Sequence, residues 1–395
     1  MLFYRNRNQK SLIKERNPDL LEMLAWSIWL LFLLYLVLNR LDNGHGEAEV
    51  FKIYLDAANR WLDAKPLYNG NGTDFIYFPQ AAIFFIPFTY IEPEYSGILW
   101  RILNTGIYAL GVYRLSQVAR QYSRLDQFLL ISVVSILMGA SAAKLGQLTL
   151  LVTGLMMLTV YALHYQRTAQ AAWLIMLGLF LKPLALPFAL LVMVFYPTTA
   201  KSILLAVVVF LLIPFLTQSA EYVVQEVENG FTTMRYVAEF GRYNPTGHAF
   251  AQLFWMLDFM GLSIPIFWQI PITLLLAMAT LYVCHWIRMQ ADENVFLICI
   301  LTLAACFILL FNPRTEGNTY VLMAPPLAVF LGWCWIKHTN YLRYVLVVVL
   351  LGFLSSHSIG HWLIDGPTVW IKPLLCIFFL ASVFAFYRRT VINNI

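Results

Sequence analysis

The sequence predicts an all-α polytopic membrane protein, with about twelve spans in one bundle. Three observations predict it. The 395 residues are 60% hydrophobic and only 12% charged, about half the charged share of an average soluble domain. The apolar residues gather in blocks of roughly 17 to 25, the length that crosses a bilayer as a helix. The basic residues stand singly or in pairs in the short loops between these blocks, in the pattern that orients membrane helices.

Taken in order, the chain opens with Arg5, Arg7, Lys10, Lys14 and Arg16, which places the N-terminus in the cytoplasm. The run Leu20 to Leu38 is too long for a signal-peptide core and lacks a small-residue cleavage site, so it reads as the first span. Spans are expected at 20–39, 97–118, 126–142, 146–164, 169–181, 183–197, 201–217, 264–286, 294–311, 318–336, 342–357 and 368–387. That number returns the C-terminus to the cytoplasm, in agreement with Arg388 and Arg389. The loops assigned inside hold Arg120, Arg124, Arg167, Lys201, Arg288, Lys337 and Arg343. The whole chain, 1–395, reads as a single integral membrane domain. Its first outer loop, 40–96, carries juxtamembrane helices, and a second outer loop covers 218–263.

Two segments depart from simple spans. The block 76–92 is short and broken by Pro79 and Pro87, and reads as re-entrant or juxtamembrane. The block 169–197 divides at Lys182-Pro183, because proline interrupts a helix and a mid-block lysine is costly in lipid. Half-helices that meet at a polar break are tolerated only against a protein-lined or watery cavity. Within 218–250, Glu221, Glu226, Glu228, Arg235, Glu239 and Arg242 interleave with apolar residues, as in an amphipathic helix lying on the membrane surface.

Several classes are disfavoured. A net charge of +5 without a run of Lys or Arg offers no phosphate-tracking patch for nucleic acid. The five cysteines lie in apolar blocks with no C-x-x-C spacing, so they read as packing residues rather than as disulfides or metal ligands. No Walker motif is present. Asn71-Gly72-Thr73 matches the glycosylation triplet, a pattern common by chance.

What remains is chemistry at one face of the bundle. The outer loops collect Lys52, Lys65, Lys144, Lys182, Arg235, Arg242 and Arg314, on the side basic residues avoid, which suggests that they hold an anion. Glu47 and Glu49 stand just past the first span, where a carboxylate suits a general base. His361 and Asp365 have no motif around them and read as solvated.

The order of motifs carries a family resemblance. Glu49-Val50-Phe51-Lys52-Ile53-Tyr54-Leu55-Asp56-Ala57-Ala58 leads to Trp61, Pro66-Leu67-Tyr68 and Phe75-Ile76-Tyr77-Phe78-Pro79. Trp100-Arg101-Ile102-Leu103-Asn104, Gly146-Gln147-Leu148-Thr149 and Gly178-Leu179-Phe180-Leu181-Lys182-Pro183 follow. The last are Tyr243-Asn244-Pro245-Thr246-Gly247-His248 and Asn312-Pro313-Arg314 through Asn318-Thr319-Tyr320. Over roughly residues 20 to 335 the chain resembles glycosyltransferase family 87, polyprenyl-phosphate-mannose-dependent α-mannosyltransferases with the C-type glycosyltransferase fold.

The resemblance implies an inverting transfer of a hexose, mannose above all, from a polyprenyl-phosphate donor to a glycolipid or glycan acceptor. The loop topology turns the active face of this expected plasma-membrane enzyme outward. Its partners are the lipid-linked donor, the acceptor and membrane lipids; no cofactor is expected, and a donor with a single phosphate does not imply a metal. The family usually opens its first loop with Asp directly before Phe. Here that position is Val50 and the acid is one residue earlier, which leaves the base among Glu49, Glu47 and Asp56, in that order. Lys182 and Arg314 are the preferred phosphate contacts, because negative charge grows on the leaving phosphate. Tyr77 and Gln147 suit sugar or phosphate oxygens, and Asn244 and His248 of the second outer loop complete the candidate set.

Two other classes fit a multi-span chain. A transporter or lipid flippase predicts a second broken helix pair matching the one at Lys182-Pro183, and none is visible. An O-antigen polymerase or ligase predicts arginines and a histidine concentrated in one late outer loop, which 218–262 meets only in part.

Overall fold

The computed structural model describes residues 20–43, 50–69, 74–120, 127–243, 250–336, 340–363 and 370–390. Among these it is helical, with no strand. The α-helices are α1 Leu20–Asn43, α2 Val50–Leu62, α3 Pro79–Thr89, α4 Pro93–Ala119, α5 Gln127–Lys144, α6 Leu148–His164, α7 Thr168–Leu181 and α8 Leu186–Phe195. They continue with α9 Ala200–Leu212, α10 Ala220–Tyr243, α11 Leu253–Phe259, α12 Ile266–Gln290, α13 Glu293–Phe311, α14 Ala324–Ile336, α15 Asn340–Leu363 and α16 Ile371–Thr390.

Among the described residues, six helices are long and apolar enough to cross a membrane: Leu20–Leu41, Gln127–Lys144, Pro197–Leu216, Ile266–Gln290, Glu293–Phe311 and Ile371–Arg389. The other expected spans differ for identifiable reasons. Leu148–His164, Thr168–Leu181 and Pro183–Phe195 are apolar but short. The block 318–336 is divided, because a 3-10 helix over Gly317–Met323 precedes α14. α4 is long, but Arg101, Asn104 and Arg114 dilute its apolar character. The break expected at Lys182-Pro183 is present, since α7 stops at Leu181 and α8 starts after a 3-10 turn over Pro183–Ala185.

The core is built around α4, α6 and α13. α13 is buried nearly all round: 89% of its apolar window is inside the molecule, against only 6% for α12. A helix apolar on every face belongs in a core or against lipid, and α13 and α12 show the two outcomes. α4 crosses α6 at Gly111 and Gly154. A Cβ on Gly154 would lie 2.8 Å from the Ile107 carbonyl oxygen, and one on Gly111 would lie 2.8 Å from the Gly154 oxygen. Small residues let helix backbones meet directly, and dispersion contacts then hold them together in lipid. All five cysteines are buried and free, in packing positions.

A second layer, α2, α3 and the start of α10, closes over the end of α6. Its interior is aromatic. Tyr54 stacks on Phe85 with ring centroids 4.7 Å apart, Phe85 meets Trp100 edge-on at 4.7 Å, and Phe51 stacks on Trp100 at 6.2 Å. Such pairs add about 0.5–1.5 kcal/mol each beyond the area they bury. The segment from Thr217 into α10 clamps this layer. Thr217 accepts from Trp61 Nε1 at 3.0 Å, and Gln218 donates to the Trp61 carbonyl at 2.6 Å. Glu226 is 1% exposed and accepts from the Leu67 amide at 2.8 Å. Within the amphipathic stretch, Ala220–Tyr243 therefore folds as a helix that braces the chain before Tyr77.

Candidate functional site

The site is assembled on the turn between α5 and α6. Gly146 has φ +65°, and the turn closes with Gly146 N–H donating to Ala143 O at 3.1 Å and Gln147 N–H to Ala142 O at 3.0 Å. This is the Schellman arrangement, in which glycine takes the left-handed position at low cost. Glycine is also needed for space, because a Cβ there would lie 3.2 Å from the Trp100 ring.

The Trp100-Arg101-x-x-Asn104 stretch of α4 satisfies the carbonyls this turn exposes. Trp100 Nε1 donates to Gly146 O at 2.7 Å, Arg101 to Lys144 O at 2.8 Å and Asn104 Nδ2 to Gln147 O at 3.0 Å. Buried backbone groups left unpaired are costly, so a motif that reads as chemistry in the sequence does structural work here.

The turn presents Gln147 and Thr149 at the start of α6. Gln147 is 4% exposed; rather than capping its own helix, its amide donates to Glu316 Oε2 at 3.2 Å. Thr149 accepts from Lys182 Nζ at 2.6 Å. Lys182 reaches it because the helix has ended. Its backbone is extended, φ −148° and ψ 111°, as a residue before proline prefers. The same ammonium lies 5.9 Å from the centroid of the Tyr77 ring, within cation–π reach.

Tyr77 in turn packs on Tyr54, with ring centroids 5.6 Å apart. Burial first, then neighbouring Tyr77, pushes the Tyr54 phenol well above its usual pKa, so it stays neutral. Its hydroxyl also accepts from the Leu148 amide at 3.4 Å. Tyr77 is held from behind, because its carbonyl accepts from the Tyr68 hydroxyl at 2.7 Å.

Of the residues singled out in the sequence, Tyr77, Gln147 and Lys182 therefore come together. Arg314 sits on the turn that delivers Glu316, with its guanidinium 5.8 Å from the Phe250 ring centroid. That turn is fixed to the chain before α11: Ala251 N–H donates to Thr315 O at 2.6 Å, and the Tyr320 hydroxyl donates to Ala251 O at 3.0 Å. Glu47, Glu49, Asn244 and His248 lie outside the described residues. Asp56 is exposed; it stands two residues from Tyr54, about 200° around α2, on the opposite face from the site.

Three residues of the site were not among the candidates: Tyr54, Thr149 and Glu316. Tyr54 and Thr149 stood inside quoted motifs without a role. Glu316 falls within the last of these motifs, two residues after Arg314. Its reach to Gln147 spans 169 positions of chain, although Glu316 and Thr319 do form a capping box visible as a spacing. Among the described residues, no group of three or more His, Cys, Asp and Glu is placed to hold a metal ion.

The arrangement is a cation at a helix break, held by a hydroxyl and flanked by a tyrosine, with an amide and a carboxylate beside it. It suits an anionic group that carries hydroxyls. A family model for glycosyltransferase family 87 matches residues 75–313, a stretch that contains Tyr77, Gln147, Thr149 and Lys182 and begins after Glu47, Glu49 and Asp56. No curated protein matches the chain. The long apolar helices make it a membrane protein, and the family match makes it a glycosyltransferase, with a glycosyl donor and an acceptor as substrates: the chain belongs to glycosyltransferase family 87.

Proposed function

We propose that the protein moves a hexose, mannose first among the candidates, from a polyprenyl-phosphate donor to a glycolipid or glycan acceptor at the outer face of the plasma membrane, with inversion at the anomeric carbon. The observation that carries this reading is Lys182. An ammonium held 2.6 Å from Thr149 Oγ1 at a break between two apolar helices is poised for an anion that arrives from lipid. A phosphate on a polyprenyl chain is such an anion. As the glycosidic bond breaks, charge builds on the leaving phosphate, and a pre-positioned cation stabilises that charge more than it stabilises the bound donor. Gln147 and Tyr77 supply hydrogen-bonding groups for sugar or phosphate oxygens, and Arg314 is a second cation for the phosphate.

The acceptor hydroxyl must lose a proton as it attacks. Glu49, with Glu47 behind it, is the proposed general base. Both precede α2 in sequence, and Phe51 of α2 lies against the same turn, 3.4 Å from where a Cβ at Gly146 would stand. Asn244 and His248 belong to the proposed substrate-binding set through the motif they share. Both termini are placed in the cytoplasm by their basic residues.

The test is a transfer assay on purified protein with polyprenyl-phosphate mannose, polyprenyl-phosphate glucose and a membrane lipid extract as acceptor source. The expected result is transfer by the wild type and loss of transfer in Glu49→Gln with donor binding retained. Full activity in both Glu49→Gln and Glu47→Gln would remove the proposed base. Absence of transfer from every polyprenyl-phosphate hexose would overturn the donor class.

A further inference from the structure

The turn that carries Glu316 has a second face. Glu316 points toward Gln147, but the next residue, Gly317, turns its carbonyl the other way and accepts from Lys372 Nζ at 2.7 Å. Lys372, at the start of α16, is one wall of a cavity of about 360 Å³. Its lining is mixed: Lys372, Asn318, Ser141 and Ser356 are polar, and Leu137, Met138 and Leu354 are apolar. Leu137 and Leu354 are 52% and 41% exposed, and both stand on apolar helices, so the cavity opens onto the apolar surface of the bundle.

Two polar groups of the lining are incompletely satisfied. Lys372 donates to Gly317 and lies 5.9 Å from the Tyr320 ring centroid, but among the described residues no carboxylate pairs with the ammonium. The side-chain oxygen of Asn318 is buried with no hydrogen-bond partner. An unpaired buried acceptor costs about 1–3 kcal/mol, and a cation beside apolar walls needs a counter-charge. One ligand chemistry answers both: an anion for Lys372 joined to a hydroxyl for Asn318. The exposed apolar lining at Leu137 and Leu354 asks for a hydrocarbon chain attached to it.

We propose that this cavity binds the head of a second lipid, one that carries a phosphate together with a free hydroxyl, with its acyl chains leaving past Leu137 and Leu354. The turn 316–317 then separates two lipid-borne phosphates, one on Lys182 and one on Lys372. On the transferase reading, on which only this role depends, the second lipid is the acceptor, held so that its head approaches Glu316 and Gln147 from the side opposite the donor.

The test uses full-length protein in detergent and the fluorescence anisotropy of a short-chain labelled phosphatidylglycerol, whose head has both the phosphate and the hydroxyls. Labelled phosphatidylcholine, with no hydroxyl and a neutralised phosphate, is the comparison. The expected result is saturable binding of phosphatidylglycerol at least tenfold tighter than phosphatidylcholine, about 1.4 kcal/mol. Lys372→Met should lose that preference and Lys372→Arg should keep it. Since Lys372→Met also removes the bond to Gly317, Ser141→Phe serves as a second variant that fills the cavity and leaves Lys372 untouched; it should abolish binding with unchanged thermal stability.

Equal affinity for the two lipids, or unchanged binding in both Lys372→Met and Ser141→Phe, overturns the proposal. Displacement by inorganic phosphate or glycerol phosphate at the concentrations that displace with unlabelled lipid shows a soluble-anion site and also overturns it. The readout is binding rather than transfer, so a failed transfer assay refutes the proposed function and leaves this result standing, and the reverse holds equally.

Discussion

α6 contains two regions that meet their surroundings in opposite ways. In its middle, Gly154 lies against α4 backbone to backbone, with no polar side chain between them and no room for a methyl group. At its start, Gln147 and Thr149 reach outward to Glu316 and Lys182. The first region is all shape and the second all polarity, only a turn or two apart on one rigid rod. A helix packed that closely at its centre holds the groups at its end in a fixed register. A binding constellation depends on that support, because misplacement by an ångström costs far more than the contact itself.

The comparison breaks most visibly at the polar end. Lys182→Met keeps the length and apolar stem of the side chain and removes only the charge. The break before Pro183 is a backbone property and should persist. The expected outcome is a loss of about 10²–10³-fold in transfer rate, the scale of deleting one donor to developing charge, with a melting temperature within a few degrees of wild type. A rate close to wild type would mean that the anion sits elsewhere.

The apolar middle should respond in the reverse manner. Gly154→Ala places a Cβ 2.8 Å from the Ile107 oxygen, on a helix whose backbone cannot give way locally. Overpacking of this kind costs about 1–3 kcal/mol. The expected result is a lower unfolding temperature in detergent, with transfer reduced only as far as the folded fraction falls. A variant that kept its stability but lost transfer would show that the crossing carries chemistry rather than support.

These two regions were not equally legible in the sequence. The break at Lys182 could be read because proline has one consequence for a helix and a lysine in an apolar block has few. The turn at Gly146 could be read as part of a motif, although not its cause, which needs both φ +65° and the Trp100 ring above it. Glu316 could not be read, because its partner Gln147 is brought near only by the whole bundle; locally, Arg314 offered a simpler partner. Apolar windows read alike in long and short helices: among the described residues six helices are long and apolar enough to cross a membrane, while others of the expected spans are apolar helices of 17, 14 and 10 residues. The amphipathic stretch before Tyr243 was legible as a helix from its periodicity. Its grip on Leu67 through Glu226 was not, since a buried carboxylate that accepts from a distant amide leaves no periodic trace.

The joint between the two regions is Asn104, which ties α4 to the turn that carries Gln147, and it should give the smallest effect of the three. Asn104→Ala removes a donor from the Gln147 carbonyl, but that oxygen still accepts from the Leu150 amide at 3.2 Å, so it is not orphaned. The Asn104 side-chain oxygen has no partner of its own, and its removal takes away a buried unsatisfied acceptor. The two changes oppose each other and are of similar size, so the net change in stability should stay within about 1 kcal/mol. Transfer should fall only a few-fold, through looser placement of Gln147, and by KM more than by kcat if that amide holds ground-state oxygens. A hundredfold fall in kcat with unchanged stability would instead place Asn104 against the reacting groups, and the division between a supporting middle and a working end would have to be redrawn one turn further along α4.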